Sequence, residues 1–342
     1  MNTLKNWLQT KATILSGHLE KSLMKNKSLK CKVVFGPIRS RRLGYILGIN
    51  NIKPGICSYD CVYCPSGSKS ICTICRTKCL SPYELYVAVK HKIAEIKKSG
   101  KDIDYIAFMG SGEPAIDSDL PNEIMILREF GYKIAVFTNS SLIWNENVQE
   151  NLRFADIVSV KIDTVNQDTW IKLNRPHRRL KYDTILEGIK RFSKYYKGHL
   201  ITETMFVNNI NDSEEEIEGL AKYLNTLKRE ISYFMYPIFP PGTEYAVCPN
   251  TEKTDKIKVL IKKLVKYPIL LCCPEKEEFV ATDDFENELL GLVSIHPVRT
   301  EAVLQYIKNE KDNLILKEMI EKHVIKEVEF QGKRYYAENA AS

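Results

Sequence analysis

The chain has 342 residues, 44% of them hydrophobic and 27% charged, which excludes a disordered or fibrous polypeptide and allows one large domain plus a small one. Its 50 Lys and Arg outnumber 43 Asp and Glu, a net charge of +7 that suits an anionic partner such as RNA without requiring one. No stretch of about 18 consecutive apolar residues is present, so no membrane partner is expected, and residues 1–20 lack a signal-peptide core, which makes a cytoplasmic location the expectation.

Residues 1–30 read as an N-terminal lysine-rich helix with an apolar stripe of Trp7, Leu8, Ile14, Leu15 and Leu19. Residues 31–275 then alternate short apolar runs, near 45, 104, 133, 157, 200 and 231, with helical patterns. Such alternation implies an α/β domain with a parallel sheet and right-handed crossovers. Six units fit a partial (β/α)6 TIM-like barrel, with a flat doubly wound sheet as the alternative. Ser81, Pro82 and Glu84 mark a helix start with a capping box, and Gly100 marks its end. A second helix opens at Asp212 and Ser213 with Glu214, Glu215 and Glu216 in its first turn, where the helix dipole favours acids. Residues 276–342 change character: three helical patterns begin after Asp284, Thr300 and Asp312, the last two read as N-caps. Two alternating runs joined at Gln331-Gly332 follow and read as a hairpin. Three helices and a hairpin suggest a small winged-helix domain.

Six of the ten cysteines fall between positions 57 and 79. In a reducing compartment such clustering reads as metal ligation rather than disulfides. Cys57, Cys61 and Cys64 form C-x3-C-x2-C. Three thiolates on a four-iron cube leave one iron open to a ligand, whereas a closed cube only passes electrons. Gly55 helps the loop turn, and Tyr59 and Tyr63 can shield the cluster. A zinc knuckle is the competing assignment.

This loop follows the first predicted strand, and CSYDCVYC, with an aromatic residue before its last cysteine, resembles the signature of the radical S-adenosylmethionine (SAM) superfamily. The resemblance implies a 4Fe–4S cluster whose open iron is chelated by the amino and carboxylate groups of SAM. It further implies a one-electron reductant such as flavodoxin or ferredoxin, and cleavage of SAM to methionine and a 5′-deoxyadenosyl radical. The protein's part is to position and shield that chemistry. Gly110, Ser111, Gly112, Glu113 and Pro114 resemble the superfamily's Gly-Gly-Glu-Pro motif, departing at the first positions; by resemblance this stretch receives the SAM amino group.

Further polar residues collect at predicted strand ends, where α/β folds bind ligands. Thr138, Asn139 and Ser140 follow the third run. Ser159, Lys161 and Asp163 alternate with Val158, Val160 and Ile162 and so share one face, read as the barrel lumen. Glu203 stands in the fifth run. Their position suits a polar ligand, and the resemblance implies that it is SAM: Tyr63, Gly110, Gly112, Glu113, Thr138, Asn139, Lys161, Asp163 and Glu203 are by resemblance the candidate cofactor-binding residues. A structural ion pair of Lys161 with Asp163 or Glu203 is an equal alternative for single members. Arg39, Arg41, Arg42 and Gly44, with the Asn174-Arg175-Pro176-His177 stretch, resemble a subgroup of Fe–S oxidoreductases akin to the wyosine synthases that modify tRNA guanosine. Arg175 and His177 are the candidate substrate contacts, and no catalytic side chain is assigned.

Cys72, Cys75 and Cys79 form a second triplet inside an insertion spanning residues 65–80. An auxiliary Fe–S cluster is the first assignment and zinc the second, with Cys272, Cys273 or Cys248 as a fourth ligand. The wyosine synthases carry their extra cysteines before the SAM motif, where this chain has only Cys31, so their second cluster does not carry over. The expected function is radical SAM modification of a large substrate such as RNA or tRNA. Modification of a peptide or protein is the alternative, and an Fe–S DNA-binding regulator the non-enzyme reading.

Overall fold

The computed structural model describes residues 33–271 and 284–339; the expected N-terminal helix, Cys31, Cys272 and Cys273 lie outside them. An edge strand β1 (Val34–Ser40) runs antiparallel to β2 (Gly44–Ile49). Two short strands at the cysteine loops, β3 (Ile56–Cys57) and β4 (Ile71–Cys72), pair in parallel as a separate ribbon. After α1 (Pro82–Lys98) come β5 (Tyr105–Phe108), α2 (Leu120–Leu127), β6 (Lys133–Thr138), α3 (Glu146–Leu152) and β7 (Ile157–Lys161). The chain continues through α4 (Gln167–Asn174), α5 (Tyr182–Tyr195), β8 (His199–Met205), α6 (Glu214–Leu224), β9 (Ile231–Met235), α7 (Thr251–Leu264) and β10 (Pro268–Leu271). The main sheet has the order β1-β2-β5-β6-β7-β8-β9-β10, parallel from β2 onward. It is a curled, open sheet of the partial TIM-barrel type, with β1 and β10 added to the six expected strands.

Period-two alternation sorts the sheet's two faces. Leu47, Ile49, Ile106, Phe108, Ile134, Val136, Val158 and Val160 enter the large core under the helices, with Leu85, Ile93, Ile124, Ile185 and Ile217. Full burial of each large apolar side chain contributes about 1.5–3 kcal/mol. Ile46, Ala107, Ala135, Ile157, Ile201 and Tyr233 face the opposite way and fill the inner side. The inner face turns polar toward the carboxyl ends of the strands, and that change places the site.

Helix ends follow local chemistry with three departures from expectation. Ser81 precedes α1, with Pro82 in its first turn, but its hydroxyl makes no capping bond. Ser213 does cap α6, accepting from Glu216 N at 3.2 Å. The last region holds α8 (Phe285–Val293), β11 (Val298–Arg299), α9 (Thr300–Tyr306), α10 (Glu310–Glu321), β12 (Ile325–Phe330) and β13 (Lys333–Glu338). These three strands form a sheet of order β11-β13-β12. Thr300 is the first residue of α9 rather than its cap. Asn309, not Asp312, caps α10, while the Asp312 carboxylate accepts from Lys308 N at 3.0 Å, so Asp312 sits one turn inside the helix. The hairpin turns at Gln331 and Gly332, both with positive φ (50° and 70°), as a two-residue hairpin loop requires.

Candidate functional site

The first cysteine loop leaves β3 and is held from two sides. Asp60 N donates to Asn174 O at 3.0 Å, Val62 N to Leu173 O at 2.9 Å, and His177 N to Ser58 O at 3.0 Å. Opposite, Gly242 N donates to Cys64 O, and Thr243 Oγ1 to Val62 O, each at 2.9 Å. Val62 and Tyr63 are buried, Cys57 is buried, and Cys61 and Cys64 are half-buried. Burial pushes the Cys57 thiol up to about 12 and raises Cys61 further in the same direction. Thiols so placed become thiolates only beside a cation. Two amides point at the sulfurs: Asn139 Nδ2 lies 3.4 Å from Cys57 Sγ, and Asn174 Nδ2 lies 3.3 Å from Cys61 Sγ.

The three cysteines border a cavity of about 290 Å³ at the carboxyl ends of the strands. Its wall includes Tyr63, Gly110, Ser111, Gly112, Thr138, Asn139, Ser159, Lys161 and Glu203. Its apolar side is made by Phe137, Met205, Met235, Tyr236, Ile238 and Phe239. Phe137, Met205 and Met235 are inward positions of β6, β8 and β9, so strand alternation could have found them. Asn174 carries no such signal, because only the meeting of α4's end with the cysteine loop puts it there.

Of the expected residues, Glu113 and Asp163 act beside the cavity rather than in its wall. Glu113 is fully enclosed: Oε1 accepts from Thr138 Oγ1 at 2.7 Å and Ala115 N at 2.9 Å, and Oε2 accepts from Asn139 N at 2.6 Å. It ties the end of β5 to the end of β6, and burial raises its carboxyl to about 7. A Cβ on Gly112 would strike the Ile56 carbonyl, and one on Gly110 would strike Asn50. These glycines let the cysteine loop and its neighbour pack onto the β5 turn. Asp163 receives bonds from Tyr63 Oη, from Asn174 Nδ2 at 2.9 Å and from Met205 N at 2.8 Å. Lys161 Nζ stands 3.7 Å from Asp163 and 4.9 Å from the centre of the Tyr63 ring. Glu203 pairs with Arg42 at 3.4 Å rather than with Lys161, and accepts from Ser159 Oγ at 2.7 Å.

Arg175 and His177, expected at the substrate, form no part of this cavity wall. Arg175 bonds Tyr245 Oη at 2.7 Å and approaches Asp60 at 3.6 Å, and the main chain of 174–177 braces the cysteine loop. In the second triplet Cys72 and Cys75 are exposed and Cys79 is half-buried. Cys72 is the register partner of Cys57 in the β3–β4 ribbon. Arg76 fastens the segment by donating to Ala115 O at 2.8 Å and Asp117 O at 3.1 Å. Cys248 lies beside Val247, whose carbonyl accepts from Asn208 after β8, so it is anchored at a different strand end from the triplet. Among the described residues no three His, Cys, Asp or Glu side chains converge on a single metal-ion position.

The profile of the Radical SAM superfamily matches residues 51–224. The chain belongs to that superfamily. The UPF0026 protein MJ1312 of Methanocaldococcus jannaschii is 38% identical over 313 residues, which cover 91% of this chain and 97% of that protein. The probable dual-specificity RNA methyltransferase RlmN of Desulforamulus reducens is 22% identical over 61% of this chain and 58% of that protein. Further relatives are matched over only 48–67% of their own length. A radical SAM methyltransferase from Sphaerobacter thermophilus shares the fold, with a TM-score of 0.55 over 68% of this chain and 69% of that one at 18% identity.

As a radical SAM enzyme the chain uses a 4Fe–4S cluster, SAM and a reductant. The residues fit the cluster: three thiols border one cavity, two amides face their sulfurs, and Tyr59, Val62 and Tyr63 shield them. The cavity is of small-ligand size, and its polar wall at the strand ends suits SAM. No helix among the described residues is long and apolar enough to cross a membrane.

Proposed function

We propose that this protein cleaves SAM reductively at a cluster held by Cys57, Cys61 and Cys64 and modifies a large substrate, RNA, by hydrogen abstraction. The observation that carries the reading is the shared cavity of the three thiols and the strand-end polar residues. When bound, the cluster and SAM supply one electron and a 5′-deoxyadenosyl radical. The chain's residues do the rest. Asn139 and Asn174 donate to the sulfurs and favour the reduced state. Lys161, Ser159 and Glu203 offer hydrogen bonds to the polar parts of SAM, and Asp163 holds Tyr63 and Asn174 in place behind them. Phe137, Met205, Met235 and Phe239 would exclude solvent and external reductants from the cavity.

The test is anaerobic reconstitution followed by an assay for 5′-deoxyadenosine under reduction. Replacing any one of Cys57, Cys61 and Cys64 with alanine abolishes the product; an undiminished yield from any variant rejects the reading. RNA is favoured over a peptide by the net charge of +7, by the likeness to an RNA methyltransferase, and by a tail whose order of helices and hairpin fits a winged helix. RNA co-purifying with the protein and becoming modified supports this; modification of a peptide alone rejects it.

Cys72, Cys75 and Cys79 are read as an auxiliary Fe–S site, supported by the ribbon that sets Cys72 beside Cys57. Two cubes hold about eight irons per chain. Changing all three cysteines to alanine lowers this to about four and leaves SAM cleavage uncoupled from substrate intact. Zinc in the native protein, or no loss of metal in the variant, rejects the redox role.

A further inference from the structure

Four cationic side chains line the cavity: Arg41, Arg42, Lys69 and Lys161. Three have protein acceptors. Arg41 Nη1 donates to Leu271 O at 3.2 Å, Arg42 pairs with Glu203 at 3.4 Å, and Lys161 stands 3.7 Å from Asp163. Lys69 differs. Its Nζ is buried, and among the described residues no hydrogen-bond partner meets it. An ammonium taken from water without a partner is strongly disfavoured, so this position is built for an anion that enters the cavity.

The backbone holding Lys69 is fixed on both sides. Lys69 N donates to Asp60 Oδ1 at 2.8 Å, and just beyond it Ile71 N donates to Gly55 O at 3.0 Å and Thr73 N to Cys57 O at 2.8 Å. The insertion is thus stitched to the first strand of the cysteine loop, and Lys69 is carried to the cluster end of the cavity. An anion bound there lies beside the cluster.

We infer that Lys69 is the residue that grips the carboxylate of SAM, a positioning residue supplied by the cysteine-bearing insertion rather than by a strand end. The inference rests on the proposed binding of SAM in this cavity. The ammonium and carboxylate form a charge-assisted pair in a site with little water, and the pair fixes the methionine end of the ligand against the open side of the cysteine triplet. An anionic group of the substrate is the competing occupant, and the ligand series below separates the two.

The experiment measures binding by equilibrium dialysis on anaerobically reconstituted protein. Lys69→Met and Lys69→Arg are compared with wild type for SAM and for decarboxylated SAM, which lacks only the carboxylate. Wild type binds SAM more tightly than the decarboxylated ligand, which lacks both the carboxylate's bond to the open iron and its pair with Lys69. Lys69→Met narrows that preference about 10–100-fold, the range of one charge-assisted bond, by weakening SAM alone, and Lys69→Arg recovers part of it. Equal weakening of both ligands, or of neither, overturns the inference and leaves the substrate's anion as the occupant. A fall in bound iron in Lys69→Met also overturns it, because Lys69 would then serve the cluster. Failure of the wild type to bind SAM overturns the proposed function together with this inference.

Discussion

Asn174 shows what a single side chain does at this site. One amide nitrogen lies 3.3 Å from Cys61 Sγ, 3.1 Å from Tyr63 Oη and 2.9 Å from Asp163 Oδ2. Donors to cluster sulfurs stabilise the more negative, reduced form. One hydrogen bond is worth about 0.5–1.5 kcal/mol, which for one electron is roughly 20–60 mV. Asn174→Leu is therefore expected to lower the midpoint potential of the SAM cluster by about that amount, followed by electron paramagnetic resonance during a redox titration. An unshifted potential with full iron content would show that the amide does not act on the sulfur. The Asn174-Arg175-Pro176-His177 stretch stood out in the sequence for its basic members, yet the residue nearest the thiols is the neutral one. Charge is visible in a sequence; the direction of an amide set by a helix end is not.

At the level of elements, period-two alternation identifies β5 through β9 and the inward placement of Ser159 and Lys161, because buried sheets enforce strict sidedness. It fails for β1, where Gly36-Pro37 interrupts the run and Arg39 breaks the apolar pattern. It also misassigns the cap of α10, since Asn309 and Asp312 are both good cap residues and only the bonded geometry separates them. The turn after β5 was legible as a motif but not in its wiring. Glu113 does not face the cavity; it fastens two strand ends. Its folded pKa of about 7 exceeds the ordinary 4.5, so the folded state holds a proton that the unfolded state has released. Its contribution is full below pH 4.5 and is lost as pH rises through about 7, a change of roughly 3 kcal/mol. Denaturant melts of wild type and Glu113→Gln across this window should show the wild type losing its advantage as pH rises. A difference between the two proteins that stays constant with pH would reject this account of Glu113.

At the level of the whole molecule, the tail is part of the cavity's support. Edge strand β1 would present open backbone groups, and α8 packs beside it. Phe35 of β1 joins Phe285, Leu289, Leu292 and Val293 in one buried cluster, and Lys92 of α1 pairs with Glu288 of α8. A second contact reaches the site itself. Tyr335 of β13, fully buried, donates to Ile238 O at 2.9 Å, and His296 stacks on Phe239 with ring centres 4.3 Å apart. Ile238 and Phe239 belong to the cavity's apolar wall. The tail therefore fixes a segment that lines the cavity, and Tyr335 supplies a donor to its Ile238 carbonyl. Removing that hydroxyl in Tyr335→Phe costs about 1 kcal/mol locally. Amide hydrogen exchange at Tyr236, Ile238 and Phe239, the residues of 236–241 that carry an amide hydrogen, should then quicken about fivefold, with exchange in β5 and β6 unchanged. If the wall is held by the tail in this way, SAM cleavage without substrate persists in the variant while coupled turnover of the large substrate falls. Unaltered exchange over 236–241 would separate the tail from the cavity and confine it to covering the sheet edge.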